Sequence, residues 1–312
     1  MQSRGNSRNT LTRRQATGAV SYLFVGAGSA IVGLVPWLIT GMRLPLQNLW
    51  AVATPPNQMP ITLLPFSQYA LTLIVAVIVT GSAVAGGFAR ARRGHYPRFG
   101  VIAIAIGVLI VQMIATVQTA VTVSGGLSRS TVSSAYLAAL IAGTVTAILI
   151  GLLVLVLIAR ARAAAAAVAL SIAAIALGVW VNGLVIPFGT LAPESTTALL
   201  SIVRWVPAII VGLALAWCGL SSVGRVAAAI VSFLVLWIGP ALFTATSVAA
   251  GTRVMAPHPD EMVQFGMQVF VSALGIPGGS LSLLILALVV MVLGLAVRWA
   301  IRRRRPERAA TA

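Results

Sequence analysis

The sequence predicts an all-α membrane protein of eight transmembrane helices, with short cytoplasmic turns and larger extracytoplasmic loops. Three observations predict it. The chain is 59% hydrophobic and 8% charged, with a mean hydropathy of +1.03, whereas a soluble domain carries roughly 25% charged residues. It contains several apolar runs of about twenty residues or more, enough for a helix to cross a hydrocarbon core of roughly 30 Å. Its 21 basic residues are all arginine and concentrate in alternate connections between those runs, the bias of cytoplasmic segments.

Residues 1–18 are polar, carry Arg4, Arg8, Arg13 and Arg14, and read as a short disordered cytoplasmic tail. The first span covers 19–40. Its length, and the lack of a small-residue cleavage site at its end, mark a retained anchor rather than a removed signal peptide. Segment 41–67 holds Pro45, Pro55, Pro56, Pro60 and Pro65. Each proline lacks an amide donor, so this stretch is an outside loop.

The second span, 68–88, leads to Arg90, Arg92, Arg93 and Arg98 on the inside. The third, 99–120, returns to an outside loop at Gly125, Gly126 and Arg129. The fourth, 135–158, ends at Arg160 and Arg162, a turn so tight that the fifth, 163–186, must run antiparallel to it. Pro187 stops that span, and an outside loop with Glu194 follows. The sixth span is 202–220, Arg225 marks the inside turn, and the seventh is 227–249. Outside segment 250–279 precedes the eighth span, 280–301, and the tail 302–312 carries Arg302, Arg303, Arg304, Arg305 and Arg308. Residues 19–301 thus read as a single eight-helix domain in a plasma membrane, with both termini cytoplasmic.

Within 250–279, Pro259-Asp260-Glu261 and Gly275 are helix start and stop signals. A helix of about 15 residues is roughly 23 Å long, short of a crossing. Gln264, Gln268 and Ser272 form a narrow polar stripe on it, which suits a helix lying on the membrane or dipping into it. Aromatic residues support the span boundaries: Trp37, Trp180, Trp205, Tyr69 and Tyr136 fall at outer ends, Tyr22 and Trp299 at inner ends. Trp237 is mid-span and is assigned to helix packing.

Several function classes drop out. The net charge of +17 comes from seventeen arginines on inside segments against four outside, not from a basic face interleaved with aromatics, so no nucleic-acid partner is expected. A single cysteine, Cys218, permits neither an intrachain disulfide nor a cysteine metal site. His258 with Asp260 and Glu261 does not converge on a metal, and neither metal nor cofactor is expected. All four acids (Glu194, Asp260, Glu261 and Glu307) lie outside the spans, which argues against a proton pump driven by a buried carboxylate. Ser29, in Gly26-Ala27-Gly28-Ser29, has no base to activate it, because His95 and His258 lie in loops. The glycines beside it suit close helix approach.

Gly143, Ala147 and Gly151 form a small-residue stripe for packing within the chain or against a second copy. Two four-helix halves would share one orientation, so an inverted transporter repeat cannot be built from them. No residue-level repeat is evident.

The candidate binding residues are of two kinds. Gln112, Gln118 and Asn182 are polar groups in apolar spans, suited to lining a substrate path or to bonding between helices. Arg43, Arg129, Arg204 and Arg253 stand near outer span ends against the prevailing charge bias, and a convergent set would hold an anionic headgroup or a polyprenyl phosphate. Pro207 and Pro240 interrupt the sixth and seventh spans, as kinks or as unwound binding segments. The expected function is a transporter or lipid-handling permease with an outward-facing site. The alternative is a non-catalytic structural subunit of a membrane complex. No catalytic set is visible. Expected partners are membrane lipids, anionic headgroups among them, and a membrane protein or a second copy of the chain.

Overall fold

The computed structural model describes residues 3–94, 99–190, 193–252, 259–275 and 279–309. Ten helices follow in order among them: α1 (Ser3–Leu38), α2 (Leu71–Ala91), α3 (Gly100–Gly126), α4 (Thr131–Arg160), α5 (Ala163–Val185), α6 (Thr197–Val203), α7 (Val206–Cys218), α8 (Val223–Gly251), α9 (Pro259–Leu274) and α10 (Ser280–Ala309). Among the described residues, eight segments are long and apolar enough to cross a membrane, with α6 and α7 together making the sixth. The all-α membrane fold and its eight spans are those the sequence predicts.

Three local differences have simple causes. The helix of α1 begins at Ser3, because the basic tail contains no proline and its Arg, Gln, Leu and Ala are good helix formers. The sixth span starts at Thr197 and is broken at Arg204-Trp205. Pro207 has no amide to donate to Val203, so the ladder cannot run through. The third span extends to Gly126 and closes against the 41–67 loop, where the Ala51 amide donates to the Gly126 carbonyl at 2.9 Å.

The chain divides into two compact units, Met1–Arg160 with Ile186–Leu191, and Ala161–Val185 with Ala192–Ala312. In the first unit α1 packs on α2 and α3, α2 packs on α3 and α4, and α3 packs on α4. The second unit repeats that scheme. There α5 packs on α7 and α8, α7 packs on α8 and α10, and α8 packs on α10, with α9 added against α8.

Small residues set these seams. A Cβ on Gly26 would strike the Ile104 backbone and one on Gly107 the Leu23 backbone, so α1 and α3 touch backbone to backbone. Gly33 and Gly81 do the same for α1 and α2. On the seam between α2 and α4, Gly86 faces Leu155 and Gly151 faces Ser82. On the matching seam of the second unit, Gly212 of α7 faces Val290 of α10, and Gly294 of α10 faces Ala216 of α7. Without a hydrophobic force between helices in lipid, such close approach is the main source of cohesion. Gly151 and Ala147 are therefore spent on packing inside the first unit, while Gly143 is exposed with nothing near it.

Arginines close the far ends of both seams. Arg90 and Arg93 donate to the Ile158 and Ala159 carbonyls of α4, at 2.6 and 3.0 Å. Arg298 of α10 donates to the Ala216 and Trp217 carbonyls of α7. Each serves carbonyls that a helix end leaves without an amide.

Candidate functional site

In the first unit both glutamine candidates bond within the fold, with Gln112 Oε1 buried and without a partner among the described residues. Gln112 is buried on α3, and its Nε2 donates to the Ile78 carbonyl at 3.0 Å and to Ser82 Oγ at 3.2 Å. Gln118 receives the Leu63 amide on Oε1 at 2.9 Å and donates from Nε2 to the Ile61 carbonyl at 3.1 Å. Beside it, Thr119 Oγ1 accepts the Leu64 amide at 2.9 Å. The two side chains fasten the proline-rich loop to α3.

That loop is a folded cap. Its two arms meet in an isolated β-bridge at Arg43 and Ile61, and the Arg43 guanidinium donates to the Met59 carbonyl at 3.1 Å. Trp37 Nε1 donates to the Thr62 carbonyl at 2.8 Å, and the Trp37 ring meets Phe188 edge-on at 6.4 Å. Leu44, Met59, Leu64 and Phe66 are fully buried beneath it. Tyr136 Oη donates to Gln47 Oε1 at 2.9 Å and accepts the Gln68 amide at 3.2 Å. Arg129 is exposed in the connection between α3 and α4.

The second unit differs at its loop end. Asn182 of α5 and Arg204, at the break between α6 and α7, line one cavity of about 250 Å³. Thr244 of α8 is the third polar group on its wall, and Val203, Pro207 and Phe243 give it an apolar floor. Three features of the chain build it. Gly178 lets Pro207 approach α5 closely, which fixes the start of α7. Pro240 interrupts the ladder of α8, and Thr244 Oγ1 bonds back to the Pro240 carbonyl at 3.0 Å, a pairing that often bends helices. The break at Arg204 leaves a bulky cation at the amino end of α7, where free amides already carry partial positive charge.

The Arg204 guanidinium lies over the Trp205 ring at 4.4 Å, a cation–π contact. Among the described residues neither Arg204 nor Asn182 has an ion-pair or side-chain hydrogen-bond partner. The wall therefore offers a planar cationic fork that matches phosphate or carboxylate oxygens, and an amide that both donates and accepts. It contains no carboxylate, histidine or thiol.

Compared with known proteins, the chain matches no family model, no curated protein and no solved structure. Its functional reading rests on this geometry.

Sequence reasoning placed Asn182 and Arg204 in one larger set of candidate lining residues, named Pro207 and Pro240 apart from them, and missed Phe243 and Thr244. The available signal was spacing: Pro240, Phe243 and Thr244 share one helical face. Arg253 and both histidines, His95 and His258, lie outside the described residues. One turn before Pro240 on α8, Trp237 Nε1 donates to the Leu274 carbonyl at 3.1 Å and ties down the end of α9. The packing role expected of this tryptophan is thus polar as well.

Proposed function

We propose that this chain is a non-enzymatic transporter or lipid-handling permease of a bacterial plasma membrane, whose ligand is an anionic amphiphile held in the cavity of the second unit. The observation that carries the reading is Arg204, an arginine without an acidic partner among the described residues, on the wall of a cavity whose floor is apolar. An anionic headgroup satisfies the cation, and the first carbons of its chain satisfy the floor. The arginine distribution supports cytoplasmic termini and an outward-facing cavity. The repeated helix scheme supports transport as well, because transporter folds are commonly built from internal repeats, parallel ones included.

The test is leaflet exchange in proteoliposomes, using fluorescent phosphatidylglycerol and phosphatidylcholine analogues. The expected result is faster exchange of the anionic analogue than in protein-free vesicles, reduced about tenfold by Arg204→Gln. Equal, background-level exchange of both analogues by the wild type would remove the permease reading.

A second reading, a non-catalytic subunit of a membrane complex, is favoured by one other feature. Between α8 and α9 lies an apolar cavity of about 310 Å³, lined by Leu242, Met262, Met267 and Phe270 among others. Exchange at background level, together with a stable stoichiometric complex in mild detergent that Met267→Asp abolishes, would favour that reading.

A further inference from the structure

The cavity of the second unit has a filled counterpart in the first. The helix seams give the correspondence. Gly33 seats α1 on α2 at Val77, and Gly178 seats α5 on α7 at Pro207. Trp37 lies four residues beyond Gly33, and Asn182 lies four beyond Gly178. Ile74 stands three residues before Val77, and Arg204 three before Pro207. On the third helix of each unit, Thr116 Oγ1 bonds back to the Gln112 carbonyl as Thr244 Oγ1 bonds back to that of Pro240.

The first unit buries all of these positions: Trp37 is 1% exposed, Ile74 2%, Gln112 4% and Thr116 4%. In the second unit Asn182, Arg204 and Thr244 are exposed on the cavity wall. What fills the first unit is its own chain. The Trp37 indole occupies the position, bonded to Thr62, with Leu64 and Phe66 packed to full burial from the same loop. At the corresponding place the second unit has the shorter Asn182 in place of the indole and a charge in place of Ile74.

We infer that the chain is a duplicated four-helix unit whose first copy is plugged by Trp37 and its loop, and that the ligand of the second copy takes the place of the plug. The inference rests on the reading of the cavity as a ligand site, and it adds the shape of the ligand. The plug is a flat ring backed by a branched side chain and a second ring, so the ligand carries a branched or cyclic apolar group. The exchange of Ile74 for Arg204 adds a phosphate or carboxylate beside that group. Size sets a limit, because drug-sized ligands occupy pockets of about 300–1,000 Å³. At about 250 Å³ the cavity takes a headgroup and one or two branched units, and the rest of a long chain remains in lipid. The first copy is the scaffold and the second the binding copy.

The test is equilibrium binding to the purified full-length protein in neutral detergent, with farnesyl phosphate, farnesol and glycerol phosphate as probes. Farnesyl phosphate is expected to bind at least tenfold more tightly than either of the others, which separates an amphiphile from free phosphate and from a neutral chain. Asn182→Trp, which restores the plug residue, is expected to weaken farnesyl phosphate at least tenfold while leaving the thermal midpoint unchanged or higher. Asn182→Leu fills less and is expected to fall between. Wild-type affinity in Asn182→Trp would overturn the plug correspondence, and so would loss of the folded state in both variants. Arg204→Gln keeps the two ideas apart: unchanged farnesyl phosphate affinity in that variant would defeat the ligand site itself. Weakened binding in Arg204→Gln with wild-type binding in Asn182→Trp would leave the site standing without the plug. Glycerol phosphate binding as tightly as farnesyl phosphate would overturn the apolar half.

Discussion

Trp37 donates its only side-chain N–H to the Thr62 carbonyl at 2.8 Å, across 25 residues of chain, with both residues buried. This bond joins the end of α1 to the proline-rich loop and makes that loop a part of the folded unit. Trp37→Phe keeps a ring in place but leaves the Thr62 carbonyl without its donor. A buried acceptor left unpaired costs about 1–3 kcal/mol. The expected outcome is a lowered thermal midpoint in detergent, with anionic ligand binding intact because the second unit is untouched. An unchanged midpoint would mean that the loop is held by something else.

Gln118 gives a second, independent handle on the same loop. Gln118→Leu removes the acceptor for the Leu63 amide and the donor for the Ile61 carbonyl. Hydrogen exchange at Leu63 is expected to accelerate by one to two orders of magnitude, equivalent to about 1.4–2.7 kcal/mol of lost local stability at tenfold per 1.36 kcal/mol. Binding of farnesyl phosphate is expected to stay at the wild-type level. Lost binding with unaltered exchange would place Gln118 on a ligand path instead.

The glycine seams predict a contrast between glycines of the same unit. A Cβ at Gly107 meets the Leu23 carbonyl oxygen, whereas one at Gly28 or Gly143 meets nothing within 4 Å. Gly107→Ala is expected to destabilise the first unit by about 1–3 kcal/mol, the usual cost of forcing packed elements apart. Gly28→Ala and Gly143→Ala are expected to be near neutral. Denaturation of the three variants in one detergent makes the comparison, and equal midpoints for all three would contradict the close approach of α1 and α3.

Arg298 closes the seam of the second unit beside Cys218, which is buried at the end of α7. Arg298→Ala removes the arginine's bonds to the Ala216 and Trp217 carbonyls and lets the last turn fray. The expected readout is a Cys218 thiol that reacts several-fold faster with a maleimide, while Arg225→Ala leaves the rate nearly unchanged. Equal rates in wild type and Arg298→Ala would show that the helix end does not depend on the arginine.

The spans were legible because each is an apolar run punctuated by arginine or proline, and both signals are local. The helix at Pro259–Leu274 was legible from Pro259, the acids beside it and Gly275 for the same reason. The repeat was not, because its seams conserve complementarity rather than residue type. Ser82 opposite Gly151 is matched by Gly212 opposite Val290, and Gly86 opposite Leu155 by Ala216 opposite Gly294. The small member changes helix from one unit to the other, so a comparison of the two halves by letter finds no match at this seam. Gln118 and Asn182 look alike in sequence, each an amide in an apolar run. What separates them is a loop that reaches Gln118 from residues 61–63, a distance in sequence that periodicity does not carry. Arg204 was visible as an arginine against the charge bias, but its cavity depends on Gly178, Pro207 and Pro240 meeting from three helices.

The most direct measurement of the central claim is an experimental density map of the full-length protein in nanodiscs containing farnesyl phosphate. The account predicts a phosphate-sized peak within about 3 Å of the Arg204 guanidinium nitrogens, the usual reach of a charge-assisted hydrogen bond. It also predicts connected apolar density between Pro207 and Phe243, and loss of both features in Asn182→Trp. An empty cavity in the wild type at saturating ligand, with farnesyl phosphate bound elsewhere on the surface, would contradict it.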